Sequence, residues 1–171
     1  VVFTPADERV AMSANRLENP GFEAGPAGDA DLWRAVGAGY AIDGSGGREG
    51  GRALMLRSES AADVHGAVQV IALDQVEAAP IYLAGWSRAR GVSGAVDGNY
   101  SVYLDLRYTD DTPLYGQRLD FDVGDHDWQR LERFILPEKP VRSINVYCLL
   151  RNTHTGTAWF DDLVVAETNA D

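Results

Sequence analysis

At 171 residues, 45% hydrophobic and 24% charged, the chain has the size and composition of one globular domain, with no apolar run long enough to span a bilayer. Its 26 acidic against 15 basic side chains give a formal net charge of −11, a surface that repels phosphate backbones and anionic headgroups, so nucleic acid and membrane are not expected partners. Cys148 is the only cysteine, which excludes an intrachain disulfide and a thiolate-only metal cluster and leaves the core, or a hard metal, to stabilise the fold.

Residues 1–15 carry no hydrophobic period and read as a linker or edge-strand lead-in to a domain over 16–168, with 169–171 as a tail. With no initiator methionine and no cleavable signal, the numbering is expected to begin inside a longer precursor. Short apolar or alternating runs follow, separated by Gly, Asp, Asn and Pro clusters: RALMLRS at 52–58, AVQVIAL at 67–73, IYLAGWSRA at 81–89 and YSVYLDLRY at 100–108. YGQRLDF at 115–121, WQRLERFIL at 128–136, SINVYCLLR at 143–151 and TAWFDDLVVAE at 157–167 complete the series. None carries a helical stripe, so the expected fold is all-β, a two-sheet antiparallel β-sandwich of jelly-roll type.

Alternation assigns faces. Tyr100, Val102, Leu104, Leu106 and Tyr108 should be core, leaving Ser101, Tyr103, Asp105 and Arg107 outside. Ile144, Val146, Cys148 and Leu150 should likewise be core, which makes Cys148 an inert buried thiol and turns Asn145, Tyr147, Leu149 and Arg151 outward. In the 81–88 run Tyr82, Ala84, Trp86 and Arg88 share one face. Aromatic rings mixed with arginine and carboxylate suit a sugar, whose axial C–H groups stack on rings while its hydroxyls take directional bonds. The same pattern also fits an ordinary outer face of an antiparallel sheet.

The segment Asn19-Pro20-Gly21-Phe22-Glu23, followed by Gly25 and Trp33, resembles the opening of the carbohydrate-binding modules of families four, nine and twenty-two. Gly44 to Leu56 resembles their glycine-rich turn into a strand, Arg57 to Gln69 their arginine-loop-G-x-x-Q stretch, and Gly156 to Val164 their closing strand, in the same order. The resemblance implies a jelly roll appended to a polysaccharide-degrading enzyme, secreted or at a bacterial cell surface, monomeric, with a structural calcium and a sugar cleft on a concave sheet. It implies Glu23 and Asp161 as calcium-binding carboxylates, Asp162 being the alternative, with main-chain oxygens from the turn around Arg48 and Gly51. It implies a sugar site built on Tyr103 and Tyr147, with Gln69 and Arg151 as polar contacts and His65 where these families often place a platform aromatic. Trp86, Arg88, Asp105 and Arg107 join that site by alternation, while Trp33 is expected to be structural and Trp128 and Trp159 core.

Arginines on the binding face leave two ligands open. They pair with an anionic glycan, or Asp105 and its neighbours neutralise them across strands and leave a cleft for a neutral glucan or xylan. The expected function is a non-catalytic module that targets a parent enzyme to a polysaccharide, with calcium as cofactor and the catalytic domain of the same polypeptide as partner. The alternative is a sandwich that docks on that domain without binding glycan. Catalysis is the weaker reading, because Asp110 with Asp111 and Asp125 with Asp127 sit in turns, Asp120 and Asp122 have no accompanying E-x-D-x-E pattern, and His65, His126 and His154 are dispersed.

Overall fold

The computed structural model describes residues 12–168; the proposed tail and most of the lead-in lie outside them. Ten strands and no helix occur among the described residues: β1 (Arg34–Gly37), β2 (Ala41–Asp43), β3 (Ala53–Ser58), β4 (Val64–Ala72), β5 (Ile81–Val92), β6 (Tyr100–Tyr108), β7 (Pro113–Asp120), β8 (Gly124–Ile135), β9 (Val141–Arg151) and β10 (Gly156–Glu167). They form two five-stranded antiparallel sheets, β1-β4-β9-β6-β7 and β2-β3-β10-β5-β8, the expected β-sandwich. β1 and β2, only four and three residues long, carry no legible strand pattern in the sequence.

The period-2 side chains close the core. Leu54, Leu56, Ile81, Leu83, Leu104, Ile144, Val146 and Cys148 are fully buried between the sheets, each large apolar one worth about 1.5–3 kcal/mol of transfer free energy. The buried Tyr100 hydroxyl lies 2.6 Å from Ser87 Oγ, which itself donates to the Trp159 carbonyl at 2.7 Å, so no polar atom of this trio is left unpaired. Burial pushes the Cys148 thiol far up, consistent with an inert side chain.

The NPGFE segment folds as a plug. Asn19 and Phe22 take positive φ, and the Asn19 amide exchanges hydrogen bonds with both backbone groups of Ala24 at 2.9 Å. Phe22, fully buried, packs 5.0 Å from the Trp33 ring, whose indole N–H donates to the Asn19 carbonyl. Residues 12–15 are already part of the sandwich: Met12 bridges Thr168, Ser13 pairs with Glu167, and Asn15 clamps Leu163 and Val165.

On one side the sandwich ends in the long edge strands β7 and β8. Arg133 of β8 ties them together, donating to the Arg118 carbonyl and to Gln117 Oε1 of β7. Along β8, Asp125, Asp127, Arg130, Glu132 and Arg133 are exposed.

Candidate functional site

The outer face of the first sheet is defined by register. One transverse row runs Arg34, Val68, Tyr147, Tyr103, Arg118 across all five strands, and the next holds Val70, Asn145 and Asp105. At the centre the Tyr103 and Tyr147 rings meet edge-to-face with centroids 6.2 Å apart, and the Arg151 guanidinium carbon sits 5.6 Å from the Tyr103 centroid. Arg151 is held there by Asn99, which accepts from its Nε at 3.1 Å and from its backbone N–H at 2.9 Å.

Asn99 follows a loop anchored by His154. This side chain is fully buried, with Nδ1 on the Ser93 carbonyl and Nε2 2.7 Å from the Asp97 carboxylate. The Asp97 carboxyl is held below its ordinary value: burial raises it, but the hydrogen bonds from His154 and Asn99 prevail. Opposite, β7 bulges against β6 at Gly116, whose φ of 71° needs glycine and whose N–H donates to Asp105 Oδ1 at 3.1 Å. The bulge turns Tyr115, 60% exposed, over a groove of about 310 Å³ lined by Asp105, Arg107, Ser143 and Asn145. Tyr115 and Arg34 were not singled out from sequence; Tyr115 begins a recognised run, but only the bulge aims it at this face.

Four expected site residues lie elsewhere. Trp86 and Arg88 face outward as alternation requires, but β5 belongs to the second sheet, so they stand on the opposite side of the molecule. Gln69 and His65 pair with the core-facing Val146 and Leu150 and share that inner side of β4. Gln69 is 6% exposed, and its amide both accepts from the Glu18 N–H at 2.9 Å and donates to the Glu18 carbonyl at 2.8 Å. His65 sits at the sandwich end beside Met55 and Arg57. Trp128 and Trp159 are half-buried on the outer face of the second sheet instead of core. Arg88 covers both rings, 3.8 Å from the Trp159 centroid and 5.5 Å from that of Trp128, while Asp43 accepts the Trp159 indole N–H.

The second expected site is brought together. The turn between β2 and β3 closes on itself through Gly47 N–H to the Gly51 carbonyl at 2.8 Å. Glu23 reaches it from the plug, accepting the Arg52 N–H at 3.0 Å, and a Cβ on Gly51 would lie 2.4 Å from Glu23 Oε1, so only glycine allows this approach. A bulge in β10, with Asp162 at φ 48°, presents two adjacent carboxylates. Asp161, 3% exposed, accepts the Arg48 N–H at 2.9 Å; Asp162 pairs with the Arg48 guanidinium at 2.9 Å, and that guanidinium lies 4.4 Å over Trp86. Burial pushes the Asp161 carboxyl up to about 6, with repulsion from Asp162 and Glu23 adding to it against the lowering N–H bond from Arg48. No set of three His, Cys, Asp or Glu side chains gathers for a metal among the described residues.

In fold the chain is similar to solved carbohydrate-binding modules. The sandwich superposes on TmCBM61, solved with β-1,4-galactotriose, with a TM-score of 0.59 over 90% of this chain and 98% of that one, at 20% identity. It also superposes on the CBM22-1 xylan-binding domain of Paenibacillus barcinonensis Xyn10C, with a TM-score of 0.60 over 88% of this chain and 93% of that one, at 14% identity. No family model matches the chain. In sequence it is 28% identical over 163 residues, 92% of its length, to the tRNA3(Ser)-specific nuclease WapA of Bacillus spizizenii. It spans 7% of that protein, and a 91-residue match at 32% identity spans 4% of the tRNA nuclease WapA of Bacillus subtilis.

Proposed function

We propose that the chain is a non-catalytic carbohydrate-binding module that takes a polysaccharide on the outer face of its first sheet. The observation that carries this reading is the Tyr103–Tyr147 pair at the centre of an open five-stranded face, ringed by Asn145, Asp105 and Arg151. Rings supply stacking for sugar C–H faces, and the amide, carboxylate and guanidinium supply directional partners for hydroxyls. The module works as a monomer outside the cell, where it holds a glycan-active domain of the same polypeptide on its substrate. Affinity electrophoresis across soluble polysaccharides tests it: Tyr103→Ala should weaken binding to every responsive glycan by roughly tenfold or more. Undiminished binding overturns the assignment.

Glu23 and Asp161 would hold a structural calcium with main-chain oxygens of the Arg48–Gly51 turn. The all-oxygen donor set and the glycine-permitted approach of Glu23 suit a hard cation. Asp161 is the ligand in preference to Asp162, which is engaged by the Arg48 side chain.

A docking sandwich without a glycan site is favoured by a different observation, the groove of about 610 Å³ at the β7 and β8 edges where Phe134 and Leu136 are 48% and 73% exposed. Failure of every polysaccharide to bind, with the fold intact, would select that reading.

A further inference from the structure

We propose that the glycan taken by this face is acidic, its carboxylate or sulfate groups held by Arg34, Arg107 and Arg151; the proposal rests on the glycan-binding reading above. A neutral ligand would be expected if the arginines of the face were neutralised across strands by Asp105 and its neighbours. They are not. Asp105 turns its Oδ1 to the Gly116 N–H, Asp120 is engaged by Arg118 at 2.9 Å, and Asp111 by Arg142 at 2.6 Å.

Among the described residues no carboxylate comes within ion-pairing range of Arg34, Arg107 or Arg151. Arg107 donates one terminal N–H to the Asp111 carbonyl and Arg151 its Nε to Asn99, both neutral acceptors that fix the side chain and leave its charge uncompensated. The outward positions of the sheet thus carry four guanidiniums, those of Arg34, Arg107, Arg118 and Arg151, against the two carboxylates of Asp105 and Asp120. This excess of positive charge lies on a protein of net charge −11.

The acidic remainder of the surface does not cancel it at contact distance, because at physiological ionic strength charges beyond about 8 Å are largely screened. A guanidinium fork matches carboxylate and sulfate oxygens in its plane and gains more from them than from a hydroxyl. The arginines border the tyrosine pair on both sides, Arg151 over Tyr103, Arg34 beyond Val68 on β1 and Arg107 at the groove under Tyr115. A chain stacked on the rings would therefore bring its substituents to them.

The test titrates the chain with polygalacturonate, its carboxyl-reduced counterpart, carrageenan and neutral galactan, at about 50 mM and about 500 mM salt. The expected result is binding to polygalacturonate or carrageenan that weakens severalfold at the higher salt, with the carboxyl-reduced or uncharged chain bound at least about tenfold less tightly. Which acidic polymer binds tells carboxylate from sulfate. Arg34→Gln, at an exposed side chain, should lower acidic-glycan affinity severalfold without moving the melting curve. Salt-insensitive binding of the uncharged chain, equal to that of the acidic one, overturns the acidic ligand while leaving the glycan site standing. Binding to none of the four overturns the acidic ligand, whereas binding that survives Tyr103→Ala overturns the site itself.

Discussion

Gln69 shows how a side chain of the right type acquires a different job. It stands where a G-x-x-Q pattern implies a sugar contact, yet both ends of its amide are engaged by the Glu18 backbone inside the fold. Gln69→Ala removes both of these hydrogen bonds, and should cost about 1–3 kcal/mol in chemical denaturation while glycan affinity of the folded protein is unchanged. His154 works the other way, touching no part of the candidate face yet positioning it through Asp97, the 93–99 loop, Asn99 and Arg151. His154→Ala should cost about 2–4 kcal/mol and also lower glycan affinity, the second effect persisting at temperatures where the variant is fully folded. An affinity equal to that of the parent protein would show that Arg151 needs no such support.

At the level of strands, alternation put Tyr103, Asp105 and Arg107 of β6 and Asn145, Tyr147 and Arg151 of β9 on the open face, because both strands run through the middle of a sheet where a one-residue slip would expose Leu104 or Val146, but Ser101 and Leu149 on the same side are fully buried. The same rule turned Trp86 and Arg88 outward but could not say outward from which sheet. That depends on the pairing of β5 with β10 and β8, a non-local choice to which a period of two is blind. Trp128 and Trp159, expected in the core, are sheltered instead by the Arg88 guanidinium over their faces. The turn between β2 and β3 yields a pH prediction. Asp161 is raised in the fold, so without metal its contribution to stability is largest below its ordinary value and is lost as pH rises toward about 6, by up to about 3 kcal/mol. Calcium needs the carboxylate, so it should raise the melting temperature at pH above about 6 and progressively less below it. Trp86 under Arg48 gives a fluorescence readout of the same event. Identical melting curves with calcium and with chelator at neutral pH would remove the metal from the account.

Across the whole molecule the two faces of the sandwich have been given different work by the same two residue types. On the second sheet arginine is consumed by tryptophan and aspartate, as in Arg88 with Trp159 and Asp43; on the first, Arg118 pairs with Asp120 while Arg34, Arg107 and Arg151 have no carboxylate partner among the described residues. The paired edges β7 and β8 carry a consequence for the protein in concentrated solution. A twelve-residue edge strand offers unpaired backbone groups to any other extended chain, and a second copy is the most abundant such chain. The exposed charges of Asp125, Asp127, Arg130, Glu132 and Arg133 make a like strand costly to add, because desolvating each of them opposes edge-to-edge growth. Replacing Asp127, Arg130 and Glu132 together with threonine removes both partners of the Tyr82 hydroxyl, so it should lower the melting temperature by several degrees and, well below that temperature, convert a clear solution into one that scatters light and binds amyloid dyes on standing. Colloidal behaviour is thus set by a row of side chains of which two, Arg130 and Glu132, also hold the Tyr82 hydroxyl.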